Sequence, residues 1–388
     1  MAGRPSFAGK AAIVGVGCTK FSRESGRSVL QLASEAIEAA LADAGLEREA
    51  VDGLLSYHLG DSVPVAVVAR TLGLPRFRWH NDYYGGGSQC ASILGDAAMA
   101  IEAGLADTIV IYRALNGRSG KRMGQVGQGA GDNIEEQFLT PYGLRGPVQM
   151  FALAAQHTLA RLGVRPTDLG ELVVRQRAKA VRNPKALLRE PLTLADYLAS
   201  PPVATPLRRH DCCLETDAAC AIVITGAARA RALRHRPVLI NGAVRGGGPG
   251  VGAMDEAGPH PFRIFSHYVA PALYRQAGIG PKDIGLFQLY DAYSFLILQQ
   301  LEDFGACPSG ELAGLAAAGR LEITGDLPLN PNGGLLSEGY VHGLNNIVEA
   351  VEQLRGTAGE RQVPNLETAL CTGFGGSFGS AALLGLNA

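Results

Sequence analysis

Tyr340 and His342 are the side chains whose setting best suits chemistry. They belong to Asn330-Pro331-Asn332-Gly333-Gly334-Leu335-Leu336-Ser337-Glu338-Gly339-Tyr340-Val341-His342-Gly343, a glycine-rich turn and polar loop feeding a helix expected over 344–354. Glycines let a backbone take positive φ and approach a ligand closely. The N-terminus of the helix offers unpaired N–H groups suited to anions and oxyanions. The Tyr340 phenol can take a proton, donate to a developing oxyanion while neutral, or simply pack beside the helix. Ionising a free phenol at pH 7 costs about 4 kcal/mol, so a base role needs a helping partner and a donor role does not. His342 would project to the same side of an extended loop and there could poise Tyr340 or relay its proton; a histidine satisfied in the core or at the surface is the alternative. Asp291 and Tyr293, in Tyr290-Asp291-Ala292-Tyr293-Ser294, follow a strand. Asp291 either handles a proton or orients a neighbour, or caps a helix starting near Ser294.

An internal repeat positions these groups. Ala42-Asp43-Ala44-Gly45-Leu46, followed by a strand over 51–57, parallels Arg275-Gln276-Ala277-Gly278-Ile279, followed by a strand over 283–290. Each is a helix end with a glycine just beyond it, a short acidic turn and then a strand. A second glycine-rich turn follows in both: Tyr84-Gly85-Gly86-Gly87 before a helix over 91–103, and Gly333-Gly334 before the helix over 344–354. Strands over 107–112 and 368–372 come next. Two similar α/β halves packed together are implied, with a natural ligand cleft between the paired turns. The repeat is interrupted from about 116 to 211, where helices over 148–162 and 169–180 are expected. We read 1–115 with 212–250 as the first half, 116–211 as an inserted lid and 251–388 as the second half, the run 237–244 closing the first.

Composition bounds the function. With 388 residues, 47% hydrophobic, 18% charged and 51 glycines, the chain suits a tightly packed α/β enzyme and not a disordered segment. A net charge of −1 with scattered basic residues excludes a nucleic-acid footprint. No long apolar run predicts a membrane span and the polar start predicts no signal peptide, so a cytoplasmic protein is expected. The seven cysteines lack a C-x-x-C pair and read as packed free thiols, without a structural zinc.

The loop 330–343 resembles that of the thiolase superfamily, whose pattern is Asn-Pro-x-Gly-Gly, four residues, then Gly-His-Pro-x-Gly; the spacing matches without a gap, and Tyr340 stands where thiolases have the histidine. Pro141-Tyr142-Gly143-Leu144, Asn183-Pro184, Asp217-Ala218-Ala219 and Tyr290–Ser294 are similar to the lipid-transfer, sterol-carrier-type branch, which carries a His-Asp-Cys-Phe-Ser-like motif at the last position. The resemblance implies a five-layer αβαβα thiolase fold with two pseudo-twofold-related halves and a homodimeric core. It implies that Gly375 and Gly376, in Gly373-Phe374-Gly375-Gly376-Ser377, form a loop whose backbone N–H binds thioester oxygen. Tyr293 would bind the β-oxygen or line the substrate pocket, and the basic residues Arg177, Lys179, Arg182 and Lys185 would meet coenzyme A phosphates or form a solvated face. Cys371 matches the second thiolase cysteine only with two residues out of register and reads as packed.

Thiolases attack with a cysteine before the first-half helix. Aligning Leu94, Ala97 and Ile101-Glu102-Ala103-Gly104 with the family's helix places Gly87 at the nucleophile position and Cys90 one turn later, about 5 Å away, too far to reach the same carbonyl. Loss of both cysteine and histidine suits a substrate that already bears a β-hydroxyl. Removing that proton gives the alkoxide that thiolysis makes by adding a thiolate, and the alkoxide expels the same acyl-CoA enolate. The pattern resembles thiolase-fold aldolases of actinobacterial sterol catabolism. That resemblance implies cleavage of a 17-hydroxy steroid acyl-CoA to a 17-ketosteroid and propionyl-CoA, no cofactor besides the thioester substrate, and a partner with an acyl-CoA-associated OB-fold domain of a hydratase. A transferase using Cys90 and a non-catalytic acyl-CoA- or sterol-binding subunit are the competing classes.

Overall fold

The computed structural model describes residues 7–120, 122, 137, 139–248 and 260–387. Its first strand, β1 (Ala11–Cys18), is covered on both faces. Ala12 and Val14 face the helix Val29–Ala44, while Ala11 and Ile13 join the larger core on the other side. The helix lies so close that a Cβ on Gly17 would stand 2.5 Å from the Ala36 carbonyl oxygen. It starts in a capping box, Ser28 Oγ accepting from the Gln31 N–H and Gln31 Oε1 from the Ser28 N–H, and stops at the left-handed Gly45.

Next come β2 (Gly53–His58), β3 (Trp79–Tyr84), β4 (Thr108–Asn116), a small hairpin of β5 (Pro202–Ala204) and β6 (Leu207–Arg208), then β7 (Asp217–Gly226), β8 (Val238–Gly247), β9 (Leu286–Gln288), β10 (Thr368–Phe374) and β11 (Phe378–Gly385). Nine of these strands form one mixed sheet in the order β3-β2-β4-β7-β1-β8-β11-β10-β9. The repeat is plain in the pairing. β2 is parallel to β3 and β4, and β4–β7–β1 continue antiparallel. β9 is parallel to β10 and to a bridge at Leu329, and β10–β11–β8 continue antiparallel. The two halves join in the sheet through Ala12↔Leu239 and Ile13↔Val238. The run 237–244, expected to close the first half, pairs with β11 from Leu239 to Gly247 and so opens the second. An apolar run carries no mark of which neighbour it will pair with.

The helices Ser92–Glu102 and Leu344–Arg355 each pack against strands of both halves and form the central layer. On β8, Ala243 meets Gly95 of the central layer, while Gly242 meets Leu273 of the helix Phe265–Ala277 on the outer face. With Val29–Ala44 and Val65–Leu72 outside the first half, the layers run αβαβα. The helices Pro147–Leu162, Pro166–Val181 and Leu194–Ala199 lie between β4 and β7; part of the expected lid falls outside the described residues. Among the described residues no helix is long and apolar enough to cross a membrane, and no group of three or more His, Cys, Asp and Glu side chains could hold a metal ion.

Candidate active site

A cavity of about 730 Å³ lies between the two glycine-rich turns, walled by Gly85–Ser88 from the first half and by Tyr290, Tyr293, Tyr340, His342 and Gly375 from the second. Val148 and Phe151 of the helix Pro147–Leu162 close one side.

The loop carrying Tyr340 is held by asparagines. Asn330, at φ 38°, uses its amide as a substitute strand, accepting from the Leu289 N–H at 2.8 Å and donating to the Leu289 carbonyl at 3.0 Å. Asn183, Asn332 and Asn345 donate to the buried Glu338 carboxyl at 2.9, 2.6 and 2.8 Å. Burial raises that carboxyl to about 7. The Tyr340 N–H donates to Thr216 Oγ1 at 3.0 Å.

Tyr290 follows β9, where its N–H donates to Thr372 Oγ1 at 2.8 Å and its carbonyl accepts from Gln300 Nε2 at 2.9 Å. Its hydroxyl lies 2.7 Å from that of Tyr340. Burial holds both phenols above the ordinary tyrosine value, so each is neutral in the empty site. The first turn explains the glycine opposite: a Cβ on Gly87 would stand 2.0 Å from Tyr290 Oη. The tyrosine hydroxyl fills the space that a side chain at position 87 would need. The sequence motif points to Asp291 and Tyr293 and leaves Tyr290 without a role. The chain leaves β9 and turns toward the helix Phe295–Asp303, so residues 290 and 293, three apart, face the cavity together, and strand alternation does not apply.

Asp291 points away from the cavity. Its Oδ1 accepts from the Leu335 N–H at 2.8 Å, its Oδ2 has no hydrogen-bond partner among the described residues, and burial raises the carboxyl to about 7. It braces the turn Gly334–Ser337, where a Cβ on Gly334 would lie 2.0 Å from Asp291 Oδ2. It caps neither the helix near Ser294 nor the reacting space. Tyr293 lines the cavity against Phe151, ring centroids 5.1 Å apart.

His342 sits at φ 47°, so the loop bends where an extended run was expected, yet its ring still meets that of Tyr340 edge-on at 4.9 Å. The hydroxyl of Tyr340 bonds Tyr290, whereas His342 bonds the fully buried Arg113 of β4. Arg113 Nε and Nη2 approach His342 Nδ1 at 3.2 and 2.9 Å, Nη2 also pairs with Asp61 at 2.6 Å, and Nη1 donates to the Ala114 carbonyl at 2.7 Å. Burial and the guanidinium lower the imidazole to about 3, keeping it neutral. Arg113 and Asp61 left no local signal in the sequence, because only the tertiary fold brings a strand residue and a loop residue beneath a segment more than two hundred residues away.

The remaining expectations divide. Gly375 lines the cavity, but its N–H donates to the Phe378 carbonyl at 3.1 Å and closes the β10–β11 turn, so it is no free oxyanion donor. Gly376 does not line the cavity; its carbonyl accepts from the Phe265 N–H at 3.3 Å. Arg177 bonds Ser337 Oγ, Lys179 is buried against the Leu321 and Leu329 carbonyls, and Lys185 pairs with Glu352. Neither these nor Arg182 reach the cavity, whose basic lining comes from Arg23, Arg118, Arg122 and Arg209. Cys90 is fully buried, its Sγ 3.4 Å from the Thr372 carbonyl oxygen, and burial pushes the thiol far up. Cys371 is fully buried as well.

A family model described as thiolase C-terminal domain-like matches residues 266–387. The chain is 40% identical to the 17-hydroxy-3-oxo-4-pregnene-20-carboxyl-CoA lyase of Mycobacterium tuberculosis, over 98% of this chain and all of that one. It is 42% identical to a steroid side-chain-cleaving aldolase of Thermomonospora curvata, over 90% of this chain and 91% of that one. The solved Ltp2-ChsH2(DUF35) aldolase superposes with a TM-score of 0.91 at 40% identity, covering 98% of this chain and 99% of that one. The acetyl-CoA acetyltransferase of Syntrophomonas wolfei, at 17% identity and a TM-score of 0.71 over 98% of this chain and all of that one, shares the fold. With 40–42% identity to such enzymes over nearly its whole length and the thiolase fold, the chain belongs to the steroid side-chain-cleaving aldolases of the thiolase superfamily.

Proposed function

We propose that this carbon–carbon lyase cleaves a 17-hydroxy steroid bearing a side-chain coenzyme A thioester, giving a 17-ketosteroid and propionyl-CoA. The observation that carries the mechanism is the 2.7 Å contact between Tyr290 and Tyr340 above Gly87. Two neutral phenols in series relay a proton without either becoming a free phenolate. The substrate hydroxyl gives its proton to one phenol oxygen as that phenol passes its own to the other. The other gives its own to Cα in the same concerted shift, so neither phenol carries two protons. The Cα–Cβ bond breaks, the β-carbon becomes the ketone, and the bond's electron pair moves into the thioester enolate. The second phenol returns a proton to Cα, so the hydroxyl proton is replaced, in effect, on the leaving fragment. Tyr293 and Phe151 line the steroid pocket, and Asp291 acts only by holding the loop. No cofactor takes part besides the thioester of the substrate.

The Cys90 transferase reading has no geometric support, since that thiol lies outside the cavity lining. We further propose a cytoplasmic homodimer assembled with a hydratase-associated, OB-fold partner, a reading supported by the similar solved Ltp2-ChsH2(DUF35) aldolase and by β3, which among the described residues is a sheet edge. Co-purification with the neighbouring reading frame, followed by mass measurement, tests the assembly; full activity of an unassociated monomer overturns it. For the chemistry, Tyr290→Phe and Tyr340→Phe should each cut ketone formation by about 10²–10⁴, and the double variant should lose little more, since one relay is broken either way. Either single variant within threefold of wild type would remove the relay.

A further inference from the structure

We infer that the Nε2–H of His342 holds the thioester oxygen as it becomes an enolate, with Arg113 and Asp61 as positioning residues that fix the proton on that nitrogen. The inference rests on the cleavage proposed above, which leaves negative charge on the thioester oxygen and assigns no group to receive it. The backbone donor expected for this task at Gly375 is used within its own turn, and both phenols of the relay are occupied with each other.

His342 lines the cavity, yet its Nε2 is buried and has no hydrogen-bond partner among the described residues. A buried polar atom without a partner costs about 1–3 kcal/mol, and a catalytic role is one of the reasons a protein keeps such an atom. The other ring nitrogen decides what Nε2 can be. Arg113 approaches Nδ1 with two donors, and a guanidinium has no acceptor. Nδ1 must therefore accept, and the proton of the neutral ring lies on Nε2.

The charged and titratable neighbours reinforce that tautomer. Arg113 comes from β4, Asp61 from the loop after β2, Tyr57 from β2 donates its hydroxyl to the His342 carbonyl at 3.0 Å, and Tyr340 meets the ring from the same loop. A carboxylate on Nδ1 would make the far nitrogen a base. A guanidinium there withdraws electrons, strengthens Nε2–H as a donor and opposes a second proton. The arrangement suits an enolate oxygen and is unsuited to a hydroxyl proton, so the two histidine roles considered from sequence give way to a third. Asp61 keeps the buried guanidinium paired.

Three measurements on the intact protein, with its partner where one is required, test this. Imidazole nitrogen NMR of His342 should show the Nε2–H tautomer unchanged from pH 5 to 8; an Nδ1–H ring or a titration in that range would overturn the inference without any variant. His342→Ala should lower kcat by about 10²–10³ with KM within threefold, and His342→Gln, whose amide N–H reaches in the same direction, should restore at least tenfold of that loss. Arg113→Met should add an ionisation between pH 5 and 8 to the kcat profile, absent from wild type and absent again when His342→Gln is combined with it. An active wild type with His342→Ala unimpaired overturns the donor role alone. A wild type that forms no ketone from any tertiary β-hydroxyacyl-CoA overturns the cleavage reaction and the donor role together.

Discussion

The two glycine-rich turns occupy equivalent places in the two halves, but one is bare and the other carries side chains into the cavity. The turn after β3 presents Gly85, Gly86 and Gly87 to the cavity, while the loop after Leu329 presents Tyr340 and His342. The bare turn still shapes the cavity. By carrying no side chain at position 87 it leaves room for Tyr290, contributed by the opposite half, to reach Tyr340. Two copies of a repeat can thus share one site, bare backbone in one making room for a side chain from the other.

Adding a side chain to the bare turn should break this relation most severely. In Gly87→Cys the new Cβ must displace the Tyr290 hydroxyl, and misplacement by about 1 Å costs about 10²-fold. Ketone formation should fall by that much with no acyl-enzyme gained, as read by turnover and by mass of the trapped protein; activity within tenfold of wild type would mean that Tyr290 is not where the chemistry occurs. A smaller effect is expected behind the loop carrying Tyr340. Asp291 has a folded carboxyl at about 7 against an ordinary 3.8, so its contribution to stability is fully present below about pH 4 and is lost as pH rises through 7. Asp291→Asn should flatten part of that decline, seen as a smaller drop in urea midpoint between pH 5 and pH 8; an unchanged drop would show that the decline comes from Glu338 and other groups. The smallest effect belongs to Cys90, one turn beyond the bare position. Cys90→Ser should stay within threefold of wild-type turnover, and a 100-fold loss with intact folding would return the thiol to the chemistry.

Much of the fold was legible because its signals are local. Gly45 and Gly278 end matching helices, and the helices Ser92–Glu102 and Leu344–Arg355 lie close to where periodicity and turn glycines predict them. The allegiance of β8 was not legible, since pairing is a property of two strands. At the site, Tyr340, Tyr293 and Gly87 could be singled out by position. Tyr290 was hidden because an abrupt change from strand to turn reverses which residues share a face. Arg113 was hidden more thoroughly, as a charged residue inside an apolar strand whose reason for being buried lies in a distant loop.

The amide cage around Glu338 and Leu289 has a consequence for how this protein tolerates change. Asn183, Asn332, Asn345 and Asn346 do not line the cavity, yet together with Asn330 they fix the loop from which Tyr340 reaches Tyr290. On the proposed relay a proton crosses only the 2.7 Å between the two hydroxyls, and loosening the cage would lengthen that gap. The bonds that hold this loop in place would then also set the pace of the proposed relay.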